Sequence, residues 1–218
     1  RADTTSDVLT LGNMSVSAPY APKTVIDGIG WLSGTSVPSN FIVQEERNAV
    51  HYHRLFFLYN ATTGTYPHTT GSLIYLKNGY HARIENCYIN NVYCGDSAIR
   101  TRNSNDGTYN VVAPLITRTD VSNVNKEGGV GGVGIHVIGA HGIEIDGQVQ
   151  SCAGGGVLIE ATDDNTGEPV YNPHLHDLHF EQNTTFHIKC VDGTGSNDVY
   201  NFKLENSRFF IGDGGTPM

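Results

Sequence analysis

One short strand pattern recurs along this chain, and it limits the fold more than any other feature. Five pieces align: Arg83-Ile84-Glu85-Asn86, Leu115-Ile116-Thr117-Arg118, Glu144-Ile145-Asp146-Gly147, His179-Phe180-Glu181-Gln182 and Lys203-Leu204-Glu205-Asn206. Each carries a large apolar residue in second place, and four of the five carry a carboxylate in third place. The fourth place is Asn, Arg, Gly or Gln, mostly residues that suit a turn. The apolar positions stand 32, 29, 35 and 24 residues apart. A strand unit returning every few tens of residues is the signature of a stacked repeat, in which each unit buries its apolar face against its neighbours.

The periodicity within the pieces selects the kind of repeat. Ile143 and Ile145 alternate with Glu144 and Asp146, Leu178 and Phe180 with His179 and Glu181, and Phe202 and Leu204 with Lys203 and Glu205. Period two means strands with one buried face, whereas a helical solenoid needs apolar residues three and four apart. With Gly at 26 of 218 residues and coils of uneven length, the expected fold is all-β, a single-stranded parallel β-helix whose coils stack a continuous core. A β-sandwich is the competing architecture. Residues 1–40, broken by Pro19, Pro22 and Pro38, are expected to cap the solenoid or enter it, and residues 41–218 to form the helix as one domain.

Charge and cysteine content narrow the partners. The formal net charge is −9, and only 16% of residues are charged, which argues against nucleic acid. No apolar run reaches the roughly 18–20 residues of a membrane span, and no secretory signal is read. A first residue of Arg rather than Met is what a piece of a longer chain would show. Cys87, Cys94, Cys152 and Cys190 have no Cys-x-x-Cys spacing and are expected as buried thiols acting as small hydrophobes.

Three insertions interrupt the rhythm, at 103–110, 125–134 and 163–173. Such loops leave a solenoid on one side and shape ligand grooves. The run Gly128-Gly129-Val130-Gly131-Gly132-Val133-Gly134 has no Lys-Ser/Thr after it, so it is read as tight turns and a flexible edge, not a phosphate loop.

The coils from Tyr80 to Ile211, with their Ile-Glu-Asn, Ile-Asp-Gly and Leu-Glu-Asn strand ends, resemble the right-handed parallel β-helices of the pectate-lyase-like group. Within that group they look most like bacteriophage tailspikes and tail appendages. The resemblance covers roughly three-fifths of the chain and is specific for architecture, not for activity. It implies a homotrimer of side-by-side helices on a virion tail, acting outside the cell, that binds host surface polysaccharide (capsule, O-antigen or teichoic acid) and often cleaves it. A polygalacturonase set is not carried over: Ala140-His141-Gly142 precedes Asp163-Asp164, and both motif and order depart. A non-catalytic receptor-binding or structural spike segment is the alternative, and a bacterial polysaccharide lyase or epimerase a further one.

The five-piece alignment makes its own prediction about chemistry. Ile84, Ile116, Ile145, Phe180 and Leu204 would stack inward, with Glu85, Thr117, Asp146, Glu181 and Glu205 outward beside them. Coils about 4.8 Å apart would bring Asp146, Glu181 and Glu205 together as a carboxylate column, with Glu144 and His179 alongside. Clustered carboxylates raise one another's proton affinity, as a general acid requires. These five are the expected catalytic residues of a glycoside hydrolase or lyase, with Lys203, Arg83, Tyr171, Asp163 and Asp164 expected to contact substrate. The competing account makes the acids strand-end turn residues, solvated or paired with Lys203 and Arg83. Among the ten histidines, His51 and His53, and likewise His174 and His176, would share a strand face, and three copies about a trimer axis could hold a divalent or transition metal. No other cofactor is expected.

Overall fold

The structure is a computed structural model and describes residues 9–11, 24–31, 37–45, 49–58, 66–102, 111–161, 169–193 and 198–210. The strands stack in parallel into a β-solenoid of about five full turns, with no helix among the described residues. Sheet I has seven strands, running from Leu9–Leu11 through Ile42–Glu45, Ile74–Lys77, Ser97–Arg102, Val133–Ile138 and Gly155–Glu160 to Ile188–Val191. Sheet II is a bent sheet of twelve strands, and sheet III has five short ones, from Gly79–Tyr80 to Val199–Tyr200. Each coil runs from sheet I to sheet III, into the first half of sheet II, round a bend into its second half, and back to sheet I. Leu9–Leu11 and Thr24–Asp27 already pair with the coil that follows, so the stack begins before residue 41.

Left-handed residues make the corners. Where sheet III meets sheet II stand Ala49, His81, Ala113, Gly142, Asn172 and Asn201; at the bend inside sheet II stand Arg54, Asn86, Arg118, Asp177 and Asn206; before the return to sheet I stand Asn91, Asn123, Ser151 and Gln182. All have φ between 47° and 66°. A side chain in this region costs about 1–2 kcal/mol. The cost is offset because the turn aims the residue's N–H at the next coil: Ala49 donates to Tyr80 O at 2.8 Å, His81 to Val112 O at 2.8 Å and Ala113 to His141 O at 2.7 Å.

Register follows from which residues point inward. In the first half of sheet II, Tyr52, Ile84, Ile116, Ile145, Leu175 and Leu204 pair in turn, at intervals of 29 to 32 residues. The second half stacks Phe57, Ile89, Val121, Val149, Phe180 and Phe209. The alignment therefore holds for Ile84, Ile116, Ile145 and Leu204, and is corrected at the fourth piece, where Leu175 replaces Phe180. One strand, His174–Glu181, contains both residues and bends between them at Asp177 (φ 50°). Alternation is the same on either side of the bend, so the pattern alone chose the wrong half. Phe209 likewise lies in sheet II, beside Phe180, whereas Ile99, Ile135, Val157 and Ile188 stack in sheet I.

The core is aliphatic and aromatic, and buried polar pairs include Tyr52 Oη donating to Gln44 Oε1 at 3.0 Å and the hydroxyls of Ser72 and Ser97 at 3.2 Å. Cys87, Cys94 and Cys152 are buried free thiols, as expected, and burial pushes Cys87 up to about 11 and Cys152 up to about 12. Cys190 is exposed instead, because it lies on the outermost strand of sheet I. On the last described coil the inward residues Leu204 and Phe209 are 39% and 47% exposed, since no described coil stacks beyond them. The glycine run resolves into a hairpin, with Gly128 and Gly129 both at positive φ between the paired Glu127 and Val130, the two-residue turn such glycines favour.

Candidate functional site

The register correction divides the expected carboxylate column between two faces. On the first half of sheet II, the place opposite Glu205 is taken by His176, not Glu181. Glu205 is held by Lys203 Nζ at 2.8 Å and His174 Nε2 at 2.9 Å, and hydrogen bonds from Lys203 first and His174 second keep its carboxyl below the usual value. Asp146 sits at a register shift, where its carboxylate accepts the backbone N–H of Arg118 at 2.5 Å and the hydroxyl of Thr117. It stitches two coils together. Glu85, read as outward, is only 7% exposed and is surrounded by Arg118, by His51 Nε2 at 2.8 Å and by Arg83 Nε at 3.8 Å. Glu144 is exposed, between Leu115 and His174. Glu205, Asp146 and Glu85 are thus occupied with ion pairs and backbone, as turn chemistry on a ladder of strands requires.

The four histidines raised as metal ligands each face a carboxylate in their own chain. His51 meets Glu85, His53 Nδ1 meets Asp27 at 3.0 Å, His174 meets Glu205, and His176 Nδ1 meets Asp177 at 3.0 Å. Among the described residues, no group of three or more His, Cys, Asp or Glu side chains within the chain is placed to hold a metal. Tyr171 lies on sheet III, its ring stacked on Tyr200 at 5.0 Å and edge-on to His141 at 4.7 Å. Asp163 and Asp164 lie outside the described residues.

Glu181 and His179 share the outer face of the second half of sheet II with a residue the sequence reading passed over, Asp120. The outward rows there are Tyr88, Asp120, Gln148, His179 and Arg208, and beside them Asn90, Ser122, Gln150, Glu181 and Phe210. Asp120 Oδ1 is buried and has no hydrogen-bond partner among the described residues. Burial raises its carboxyl above the usual value, partly offset by a hydrogen bond from Ser122. Asp27, Asp96, Glu160 and Glu205, by contrast, all move down. His179 Nε2 is 3.3 Å from Glu181 Oε2, and its ring stacks on Phe210 at 4.9 Å. Apart from Arg208 the remaining groups are neutral: Asn123 Nδ2 donates to Asn90 Oδ1 at 2.9 Å, and Asn90 Nδ2 to Tyr88 Oη at 2.7 Å. Asp120 was hidden in the alternation Thr119-Asp120-Val121-Ser122, which reads as an ordinary half-buried strand. Only burial distinguishes it.

A second polar cluster lies on the outer face of sheet I. His136, 9% exposed, is bracketed by Asp96 Oδ1 at 2.9 Å on Nδ1 and Glu160 Oε2 at 2.9 Å on Nε2. Arg100 holds the other oxygen of Asp96 at 2.5 Å and lies over the ring of Tyr75 at 5.2 Å. Asp96 and Arg100, His136 and Glu160 come from three successive coils, so the cluster clamps the stack. Its carboxylates and imidazole are paired, with Arg100 Nε buried and unpartnered among the described residues, and it reads as a structural element. Burial works against the imidazolium, but the two carboxylates outweigh it and raise His136 above 6.5, while His136 helps to hold both acids below their usual values. A raised histidine contributes stability that is complete below its unfolded value near 6.5 and is lost as pH rises through its folded value; lowered acids contribute stability that is lost as pH falls through theirs. The clamp is therefore at full strength between about pH 4.5 and 6.5. Between pH 5.5 and 8.5 the melting temperature of the wild type should fall further than that of His136→Gln; equal falls would show that the clamp does not carry this dependence.

No family model matches this sequence, and no curated protein or solved structure matches it either.

Proposed function

We propose that this chain is a polysaccharide-binding and polysaccharide-cleaving β-helix, with the outer face of the second half of sheet II as its working surface. The observation that carries the reading is Asp120: a half-buried carboxyl with one oxygen unpartnered among the described residues, on a face lined by amides, hydroxyls and rings with Arg208 at its far end, and with a second carboxylate, Glu181, two coils away. In this reading Asp120 gives its proton to the glycosidic oxygen as the bond to the anomeric carbon breaks. Glu181 takes a proton from a water whose oxygen attacks that carbon from the opposite side. Two strand spacings and a two-residue offset along the strand set the two backbones about 12 Å apart, so the side chains reach toward one another to approach the roughly 6.5–9.5 Å of an inverting pair, and the roughly 5–5.5 Å of a retaining pair does not fit. The right-handed coil, the three-fold assembly and a place on a phage tail, outside the cell and against host polysaccharide, rest on the resemblance of the coil pattern to tail appendages.

The test is incubation with capsule, O-antigen and teichoic-acid preparations, following new reducing ends, unsaturated sugars and released phosphate. Asp120→Asn and Glu181→Gln should each lower turnover by about 10²–10⁴-fold, the usual worth of general acid–base help, while Asp146→Asn and Glu205→Gln leave it within a few-fold. Turnover untouched by the first pair, or lost equally in the second, would remove the assignment. A binding-only spike segment is the second reading, favoured by the ion pairs that occupy Glu85 and Glu205. Retention of a glycan without product in the wild type would establish it.

A further inference from the structure

We infer that the glycan on this face is uncharged where it crosses the strand Glu144–Gln150, and that its hydroxyl or acetamido groups are read there by the side-chain amides of Gln148 and Gln150. The inference deepens the reading of this face as a glycan site and rests on it.

The register supplies the geometry. Gln148 lies between Asp120 and His179 on neighbouring strands, and Gln150 lies between Ser122 and Glu181. The strand that separates the two carboxyls thus offers only amides outward at this point. Both glutamines are partly buried, and neither side-chain amide is hydrogen-bonded to another described residue. That sets them apart from the amides nearby, since Asn123, Asn90 and Tyr88 form a connected chain on the adjoining coils. Two partly covered amides without partners, side by side on a rigid strand, are polar groups whose hydrogen bonds a ligand can complete.

The chemistry of the amide selects the ligand. A glutamine side chain donates two hydrogen bonds and accepts through its oxygen, which complements a hydroxyl or acetamido group that also does both. A carboxylate, sulfate or phosphate ester only accepts, and would leave the amide oxygens unpaired. It would also sit between Asp120 and Glu181. The only fixed cation on these rows, Arg208, is one strand beyond His179, and the chain as a whole carries a net charge of −9. A polyanion meets repulsion along this approach, and an uncharged chain does not.

The experiment measures binding to the wild type of two probe sets at 50 and 300 mM salt: neutral glycans (dextran, mannan, chitin oligomers and a neutral O-antigen) and acidic ones (alginate, heparin, teichoic acid). The expected result is binding within the neutral set, with affinity nearly independent of salt. Gln148→Ala and Gln150→Ala should each weaken it at least tenfold without changing the melting temperature. Gln148→Glu should weaken it further, and the additional loss should shrink at high salt. Preferential, salt-sensitive binding of an acidic probe that still depends on Gln148 would overturn the inference and leave the glycan face standing. Binding unaffected by either alanine variant would overturn the inference and move the glycan to another face. Failure of every probe in both sets would overturn the reading of the face, and the inference with it.

Discussion

Ile145→Asp is expected to leave the chain unfolded. Ile145 is 0% exposed, and its neighbours in the stack are Ile116 on one side and Leu175 on the other, both buried. A carboxylate there has water on no side and no cation in the core cluster to pair with. Burying a polar group without a partner costs roughly 2–7 kcal/mol, and a charged one more unless it takes up a proton. Single domains have only about 5–15 kcal/mol to lose. In a solenoid the damage also spreads, because each coil is stabilised chiefly by its neighbours. The neighbouring change Asp146→Asn keeps an acceptor for Arg118 N–H and offers its amide N–H to the Thr117 hydroxyl, which can accept it, and should shift stability by about 0.5 kcal/mol. Circular dichroism and urea titration of the two variants give the contrast. A folded Ile145→Asp would mean that residue 145 does not point inward, and the whole register of sheet II would fall with it.

Gly131→Ala should be nearly as damaging, for a reason of a different kind. At the corner where coils return to sheet I, Gly95, Gly131 and Gly154 lie on successive coils with their backbones in contact. A Cβ on Gly131 would stand 2.2 Å from the carbonyl carbon of Gly95, and one on Gly154 would stand 2.1 Å from the oxygen of Gly131. The obstacle is backbone, so the coils themselves must part, which costs about 1–3 kcal/mol as overpacking. Gly131 also has φ +71°, which adds about 1–2 kcal/mol for a side chain. Gly128 provides the control. Its φ is +59°, but nothing lies within 4 Å of the added Cβ, so Gly128→Ala should lose only the conformational part. A difference between the two of less than about 1 kcal/mol in urea unfolding would show that the corner is looser than the contacts require.

Both predictions, and the candidate site, depend on register, and register separates what could be read in the chain from what could not. The repeat of Ile84, Ile116, Ile145 and Leu204 was legible because an inward residue must be apolar and its neighbours on the strand must not be. The same reasoning gave parallel stacked strands, a continuous core, buried cysteines and polar corners. It could not place His179-Phe180-Glu181, because that piece and His174-Leu175-His176 carry the same alternation on one bent strand. The spacing held a partial signal: with Leu175 the intervals become 29 and 30 rather than 35 and 24. The catalytic column proposed from sequence dissolved for this reason, with Asp146 and Glu205 on one half of sheet II and Glu181 and His179 on the other.

Alternation by itself therefore determined that this chain stacks strands and which residues fill the core, since the hydrophobic effect acts on each residue and leaves its mark at each position. Only the tertiary structure decided which acids are neighbours. Glu85 and Asp120 are both acids on outward strand positions, and nothing local tells them apart. One is surrounded by Arg118 and His51, 33 and 34 residues away in the chain, and by Arg83 on its own strand. The other is covered without a partner for one of its oxygens. The proton affinity of a carboxyl is set by what neighbouring coils bring to it across about 5 Å. That depends on the length of every turn between them, and turn lengths leave no mark on the strands they join.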